Sequence, residues 1–308
     1  MKKLAIIIPY FKIDFFEKTL LSLFNQTNLN FNIYIGNDNS PDDPSQLIEK
    51  YSKNLNIKYF KFEENLGHKS LVQQWQRCFK KIYDEYWVML LGDDDVLERN
   101  LVAKFYENSD EILKYEVVRF PSQIINSRDE IISITHFHPH IEGSIDFILK
   151  KIKGRTRSSL SEYIFSVNAV KKNGFKDFPL AWHSDDLAIL EFSNFGKILT
   201  INGTKVFIRS SDVNISGRKD LAHLKNQASF EYYNYLLNKK KFEINTINRN
   251  LISSKLEKSV LNNKKNLKLL FFLSKQYLSK FKIKRLILFV YKYIYEILNA
   301  SRRKSREK

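Results

Sequence analysis

Apolar positions along the first hundred residues follow two alternating patterns. Mainly apolar segments at 4–8, 31–35, 57–62 and 86–91 predict strands, the first a continuous run rich in β-branched residues that reads as buried. Between them, apolar residues recur at helical spacing: Phe16, Leu20, Leu23 and Phe24 within 15–25, then Leu71, Trp75, Cys78 and Phe79 within about 68–82. Asp14 is placed to cap the first of these helices, and Pro44 suits the first turn of a short one ending near Tyr51. Strands spaced by amphipathic helices imply right-handed crossovers and a mainly parallel sheet.

The second half is less regular. Short strands are predicted at 116–120, 123–126, 162–166, 197–201 and 205–209, with helices at 143–151 and 187–195. No internal repeat is present. Two polar clusters, 37–43 and Asp93-Asp94-Asp95, directly follow predicted strands. Open α/β sheets bind ligands at that edge, so the placement matters more than either cluster alone.

Composition narrows the class. At 308 residues with 43% apolar and 14% aromatic content, the chain can bury a sizeable core, and its 9 glycines and 6 prolines exclude collagen-like and low-complexity classes. A single cysteine excludes a disulfide framework and cysteine-rich zinc folds, and fits a reducing compartment. The apolar stretch before Pro9 is short for a signal peptide, and no run approaches the length of a spanning helix, so a soluble or peripheral intracellular protein is expected.

The net charge of +17 is concentrated at one end: residues 255–308 hold 16 Lys and Arg against three acids, leaving +4 on the first 254 residues. Within that tail Leu269, Phe271, Phe281, Leu286 and Tyr291 alternate with Lys268, Lys275, Lys280, Lys284, Arg285 and Lys292. Apolar, aromatic and basic residues together suit an anionic membrane interface. The competing expectation is a pair of helices packed on the catalytic domain. Nucleic acid is a poorer fit, because no recognised binding motif accompanies the charge.

Three consecutive aspartates repel one another, and a divalent cation relieves that repulsion; hard oxygen ligands suit Mg²⁺ or Mn²⁺. Such an ion could neutralise a departing diphosphate. A solvated acidic turn is the alternative. Asp185-Asp186 offers a second carboxylate pair, suited to general-base work or to a helix N-terminus.

Several stretches in fixed order resemble a known family: Ile-Ile-Ile-Pro-Tyr-Phe at 6–11, Tyr-Ile-Gly-Asn-Asp-Asn-Ser at 34–40, Glu-Asn-Leu-Gly at 64–67, Leu-Leu-Gly-Asp-Asp-Asp-Val-Leu at 90–97, Ser-Asp-Asp at 184–186 and Phe-Ile-Arg-Ser-Ser-Asp-Val-Asn-Ile-Ser at 207–216. Together, over about residues 3–220, they resemble the family 2 glycosyltransferases of GT-A fold. The resemblance implies a GT-A (Rossmann-like) sheet in 1–220, with a nucleotide-sugar half (1–120) and an acceptor half (121–220), followed by a helical basic region (221–308).

It further implies nucleotide-sugar contacts at Pro9, Tyr10, Asp38, Asp93, Asp94, Arg209 and Asn214, the last two on a loop closing over diphosphate and acceptor. Asp93 and Asp95 are implied as metal ligands for Mn²⁺ or Mg²⁺, with Asp94 equally able to be the principal one. Asp186 is implied as the base, with Asp185 second. The reaction implied is inverting transfer from a nucleotide-sugar, a UDP-sugar first, to a saccharide acceptor. With the basic tail, that acceptor is expected to be lipid-linked, in surface-polysaccharide assembly on the cytoplasmic face of the membrane.

The chain departs from the pattern at Asn37 and Asn39, where an acid and a glycine are usual, and at Gly92, where many members carry the first acid. Two other functions were weighed. A metal-dependent sugar-phosphate nucleotidyltransferase would want a glycine-rich phosphate loop after the first strand, and Tyr10-Phe11-Lys12 is not one. A non-catalytic membrane-bound scaffold would not need the acidic clusters. Other candidates have weaker support. His136, His138 and His140 could share one strand face but lack matching acids, so a loop is expected. His68 reads as a helix-start residue, Arg155 and Arg157 as a surface loop able to meet phosphate, Trp75 and Trp87 as core, and Cys78 as a buried thiol. Trp182 could stack on a sugar or pack.

Overall fold

The computed structural model describes residues 3–210, 218 and 220–306. The chain forms two compact units, Met1–Asp177 with Ser184–Arg218, and Phe178–His183 with Lys219–Lys308.

The first unit begins with alternating elements: β1 (Leu4–Tyr10), α1 (Phe16–Phe24), β2 (Phe31–Asn37), α2 (Ser45–Ser52), β3 (Ile57–Lys61), α3 (Leu71–Phe79) and β4 (Trp87–Leu90). It continues with β5 (Val96–Leu97), α4 (Leu101–Glu107), α5 (Ser109–Ile112), β6 (Val117–Arg119), β7 (Ser122–Ile125), β8 (Ile141–Gly143), α6 (Ser144–Ile152), β9 (Tyr163–Ser166), α7 (Val167–Asn173), α8 (Ser184–Phe192), β10 (Lys197–Thr200) and β11 (Val206–Arg209). An eight-stranded sheet runs in the order β3-β2-β1-β4-β9-β6-β10-β8, and a second sheet in the order β5-β11-β7. The first four strands are parallel, whereas β9 inserts antiparallel between β4 and β6.

β1 lies third in the sheet with neighbours on both sides, and Leu4 to Ile8 are completely buried. Burial on both faces is why that strand reads as an unbroken apolar run. The main core joins β1 and β2 with Phe16, Leu20 and Leu23 of α1, and with Leu101, Val102 and Phe105 of α4. α3 packs closely on β2, and a side chain at Gly36 would meet the Cys78 sulfur at 2.2 Å, so that position admits only glycine. Cys78 is the buried thiol expected, and burial pushes its pKa up to about 12.

Local differences from the sequence reading have identifiable causes. Asp14 does not cap α1: Phe15 holds the cap position and makes no side-chain cap bond. α3 starts at Leu71, because Ser70 caps it by accepting from the Gln73 N–H. α8 begins three residues before its apolar stretch, so the acid pair occupies its first turn.

The second unit contains α9 (Ala222–Asn238), α10 (Thr246–Leu261), α11 (Leu267–Ser279) and α12 (Ile283–Arg306). Leu269, Leu273 and Tyr277 of α11 and Phe289 and Tyr293 of α12 form a core with Phe230, Leu256 and Val260. The other faces of α11 and α12, with the turn between them, expose Phe271, Phe281, Ile287, Leu288 and Tyr291 beside Lys268, Lys275, Lys284 and Lys292. No helix among the described residues is long and apolar enough to cross a membrane.

Candidate active site

Parallel pairing brings the ends of β1 and β2 level, with Tyr10 opposite Asn37, while β4 flanks β1 on its other side. The segments leaving these three strands therefore share one edge. The Leu91 N–H donates to the Ile7 carbonyl at 2.9 Å, and the chain then turns through Gly92 into the three acids.

The acids have different partners. Asp93 Oδ2 accepts from the main-chain N–H groups of Phe11 (2.8 Å) and Lys12 (2.9 Å), fixing the segment that follows β1. Asp95 is buried; its Oδ1 accepts from the Arg209 N–H at 2.9 Å and its Oδ2 from the Ser161 hydroxyl at 2.5 Å. Ser161 in turn accepts from the Gly92 N–H at 3.0 Å. Burial, reinforced by the Asp94 charge, pushes the Asp93 carboxyl up to about 6 and that of Asp95 up to about 7. Asp94 is half-buried, and its Oδ1 lies 3.0 Å from where a side chain on Gly92 would begin.

Among the described residues, no group of three or more His, Cys, Asp or Glu side chains could hold a metal. The acidic turn therefore offers no all-protein cage. It does offer crowded carboxylates in a negative setting, which suits a hard cation that takes one or two carboxylates and completes its shell with phosphate and water. The donor set fits Mg²⁺ or Mn²⁺ on those terms.

Asp38 is buried within a clamp. Its Oδ1 accepts from the Leu66 N–H at 2.8 Å and its Oδ2 from the Gly67 N–H at 2.7 Å, and Arg77 of α3 forms an ion pair with it. Burial pushes its carboxyl up despite those donors. A side chain on Gly67 would meet Asp38 Oδ2 at 2.4 Å, which explains the glycine there. Beside it Asn37 Oδ1 accepts from the Ser40 N–H, and its Nδ2 donates to the Tyr59 hydroxyl, both at 2.8 Å. Asn39 occupies the left-handed region at φ 54°, which asparagine tolerates better than most residues. Tyr10, fully buried, donates to the Asp42 carbonyl at 3.1 Å, and Pro9 is half-buried at the strand end.

The second acid pair opens α8, where carboxylates favour the helix dipole. Asp185 keeps 21% of its side chain exposed, whereas Asp186 keeps 5%. Lys151 of α6 forms an ion pair with Asp186 and lies 3.9 Å from Asp185. Burial pulls the Lys151 ammonium down, but the charges of Asp186 and Asp185 outweigh it and the net shift is upward.

Arg209 ends the strand expected at 205–209, and the loop that would follow it lies outside the described residues. Arg209, the last residue of β11, is buried; its Nε donates to the Asp94 carbonyl (2.9 Å), its Nη1 to the Asn126 carbonyl (2.8 Å), and its Nη2 pairs with Asp129 (2.6 Å). The guanidinium thus braces the acidic turn from behind. Asn214 lies outside the described residues.

Sequence reasoning missed Ser161, Lys151, Arg77 and Glu162. Only Glu162 left a trace, since Ser159 and Glu162 have capping-box spacing and form that box. Glu162 is fully buried, accepts from the Ser159 N–H at 2.8 Å and pairs with Arg157 at 3.2 Å, and burial pushes it up to about 7. Arg157 is therefore engaged within the unit, while Arg155 is exposed. The three histidines lie on a loop with separate partners: His136 bridges to Ser122, His140 meets Glu111 at 2.9 Å, and His138 is buried with its pKa lowered to about 3. Trp87 is core, and Trp75 packs edge-on to Phe175. Trp182 belongs to the second unit, with the Lys225 ammonium 5.0 Å from its ring.

Residues 5–163 match the profile of the family described as Glycosyl transferase family 2. A curated relative named "Uncharacterized glycosyltransferase", from Rickettsia bellii (strain RML369-C), is 32% identical over 117 residues; the match covers 37% of this chain and 16% of that protein. Among solved structures, S. aureus TarS 1–349 in complex with UDP-GlcNAc superposes with a TM-score of 0.63 at 16% identity, covering 86% of this chain and 73% of that one. GalNAc-T7 with UDP, GalNAc and Mn²⁺ gives a TM-score of 0.54 at 12% identity, covering 84% and 56% respectively. At those identities the structural matches establish the fold, which is GT-A.

Proposed function

Because this chain belongs to glycosyl transferase family 2, we propose that it transfers a sugar from a nucleotide-sugar donor to a saccharide acceptor. The observation that carries this reading is the acidic turn of residues 93–95 at the end of β4, beside the segments that leave β1 and β2. The unit 1–220 serves as the transferase domain in this reading, with 1–120 holding the donor and 121–220 the acceptor.

Asp94 is the carboxylate presented to the donor diphosphate and to Mn²⁺ or Mg²⁺. Asp93 and Asp95 hold it in place through the Phe11, Lys12, Ser161 and Arg209 contacts. When bound, the cation supplies charge neutralisation for the departing nucleoside diphosphate. Asp186 accepts the proton of the acceptor hydroxyl as that oxygen attacks the anomeric carbon, so configuration inverts in a single displacement. The Asp38 clamp shapes the nucleoside side by fixing residues 66 and 67, rather than by contacting the base itself.

A UDP-sugar is the first donor to test, since TarS was solved with UDP-GlcNAc and with UDP. The exposed apolar and basic face of α11 and α12 supports peripheral attachment to an anionic membrane. That attachment favours a lipid-linked saccharide acceptor on the cytoplasmic face, in surface-polysaccharide assembly.

The test is calorimetric titration of UDP, GDP, CMP and dTDP, with and without Mn²⁺, into wild type and Asp94→Ala. UDP binding that requires Mn²⁺ and disappears in the variant is expected. Failure of every nucleotide to bind under either condition would end the transferase reading.

A further inference from the structure

We infer that Lys151 is a positioning residue for the transfer reaction, holding the adjacent acids Asp185 and Asp186 together and setting the direction and basicity of Asp186. The inference rests on the reading of Asp186 as the base. It begins from a contrast within one helix turn. Lys150 and Lys151 are consecutive at the end of α6, yet Lys150 turns to Glu142 with 47% of its side chain exposed, while Lys151 keeps only 23%. Lys151 ion-pairs with Asp186 Oδ1, lies 3.9 Å from Asp185 Oδ2 and donates to the Ser158 hydroxyl at 3.1 Å. One ammonium therefore serves both acids of the pair and is itself anchored by a third group.

The physical need is specific to this pair. Two consecutive carboxylates at one helix start repel, and burial of Asp186 disfavours its charged form further. An adjacent cation favours the ionised carboxylate, the form that can accept a proton. The ion pair with Lys151 supplies that cation and fixes the orientation of Oδ1. Around the ammonium itself, Tyr163 of β9 lies within reach, and Glu162 feels its charge while pairing with Arg157. Lys151 is a cation in direct contact with both acids, so its removal has a predictable sign.

The test is a carbon-detected titration of the aspartate carboxyls in protein labelled at aspartate, with the Asp186 resonance assigned from Asp186→Asn. In Lys151→Met the Asp186 midpoint is expected to rise by about one to three pH units, the effect of one close opposite charge. Lys151→Arg, which keeps the cation, is expected to stay near wild type. Should the methionine variant not fold, Lys151→Gln is expected to give the same rise. An unmoved midpoint in a folded Lys151→Met or Lys151→Gln would overturn the inference, because a merely structural lysine would leave it unchanged. Release of UDP from UDP-GlcNAc, followed against pH, separates the two ideas. Undiminished release by Asp186→Asn would remove the base reading itself, whereas an inactive Asp186→Asn with an unmoved midpoint in Lys151→Met would remove only the role of Lys151.

Discussion

Asp38 separates two accounts of the nucleoside side, and Asp38→Asn is the perturbation that distinguishes them. If the carboxylate clamps the 64–67 loop, the cost falls on stability; if it contacts the ligand, the cost falls on binding. The carboxylate serves two main-chain amides and Arg77, which keeps 17% of its side chain exposed. An asparagine has one acceptor oxygen, so at least one of these donors then faces an amide NH₂. Hydrogen bonds to charged groups contribute about 1.5–3 kcal/mol each, and removing one partner of a buried pair costs about 3–5 kcal/mol because the other charge is stranded. Burial already opposes the ionised carboxyl, and Arg77 retains some water and stacks on Phe62, so the lower end applies. A loss of about 3 kcal/mol is expected, or a fall in Tm of roughly 6–12 °C for a unit of this size.

Thermal melts of wild type and Asp38→Asn, paired with UDP titrations, provide the assay. The double variant Asp38→Asn/Arg77→Met should lose less than the two single losses combined, since it strands no cation. A melting temperature equal to wild type together with abolished UDP binding would refute the clamp and restore Asp38 as a direct ligand contact.

Two further outcomes follow from the same structure. Glu162 is raised from its ordinary 4.5 to about 7 by burial, so the folded protein binds its proton more tightly than the unfolded chain does. Stability from this group is therefore present below about pH 4.5 and is lost as pH rises through 7, and Glu162→Gln should gain relative to wild type by up to about 3 kcal/mol over that window in urea melts; a difference independent of pH would contradict it. On the second unit, Lys268→Gln/Lys284→Gln/Lys292→Gln should bind anionic phosphatidylglycerol vesicles about a hundredfold more weakly in co-sedimentation, at about 1 kcal/mol per lysine. Equal binding of wild type and variant would remove the membrane proposal.

The elements that were legible in the sequence are those whose physics is local. β1 and β4 are buried on both faces and read as apolar runs, β2 is interrupted only by Asn32 before Gly36, and α1 carries its stripe at helical spacing. β5 and β8, two and three residues long, present too few positions for any period to show. The candidate site divides in the same way. The three acids at 93–95 were visible as a cluster, but how each of them is held depends on groups far along the chain. Phe11 and Lys12 engage Asp93 from 82 and 81 residues away, and Ser161 and Arg209 engage Asp95 from 66 and 114. The strand ending at Arg209 was legible, but its inward partners Asn126 and Asp129, reached because β11 pairs with β7, were not.

The departures from the family pattern acquire a physical meaning in this setting. A side chain at residue 92 would begin 3.0 Å from both Asp94 Oδ1 and Asp95 Oδ2, so a further acid there would press on both carboxylates. Gly92 instead lets Asp94 lie over bare backbone while Asp95 reaches Ser161, whose hydroxyl also takes the Gly92 N–H. Asn39 makes a parallel exchange: its left-handed backbone is the conformation a glycine would provide, reached by the residue type that pays least for it. Both residues keep the turns that carry the acids: Gly92 leaves room for the Asp94 and Asp95 carboxylates, and Asn39 supplies the left-handed step beside Asp38.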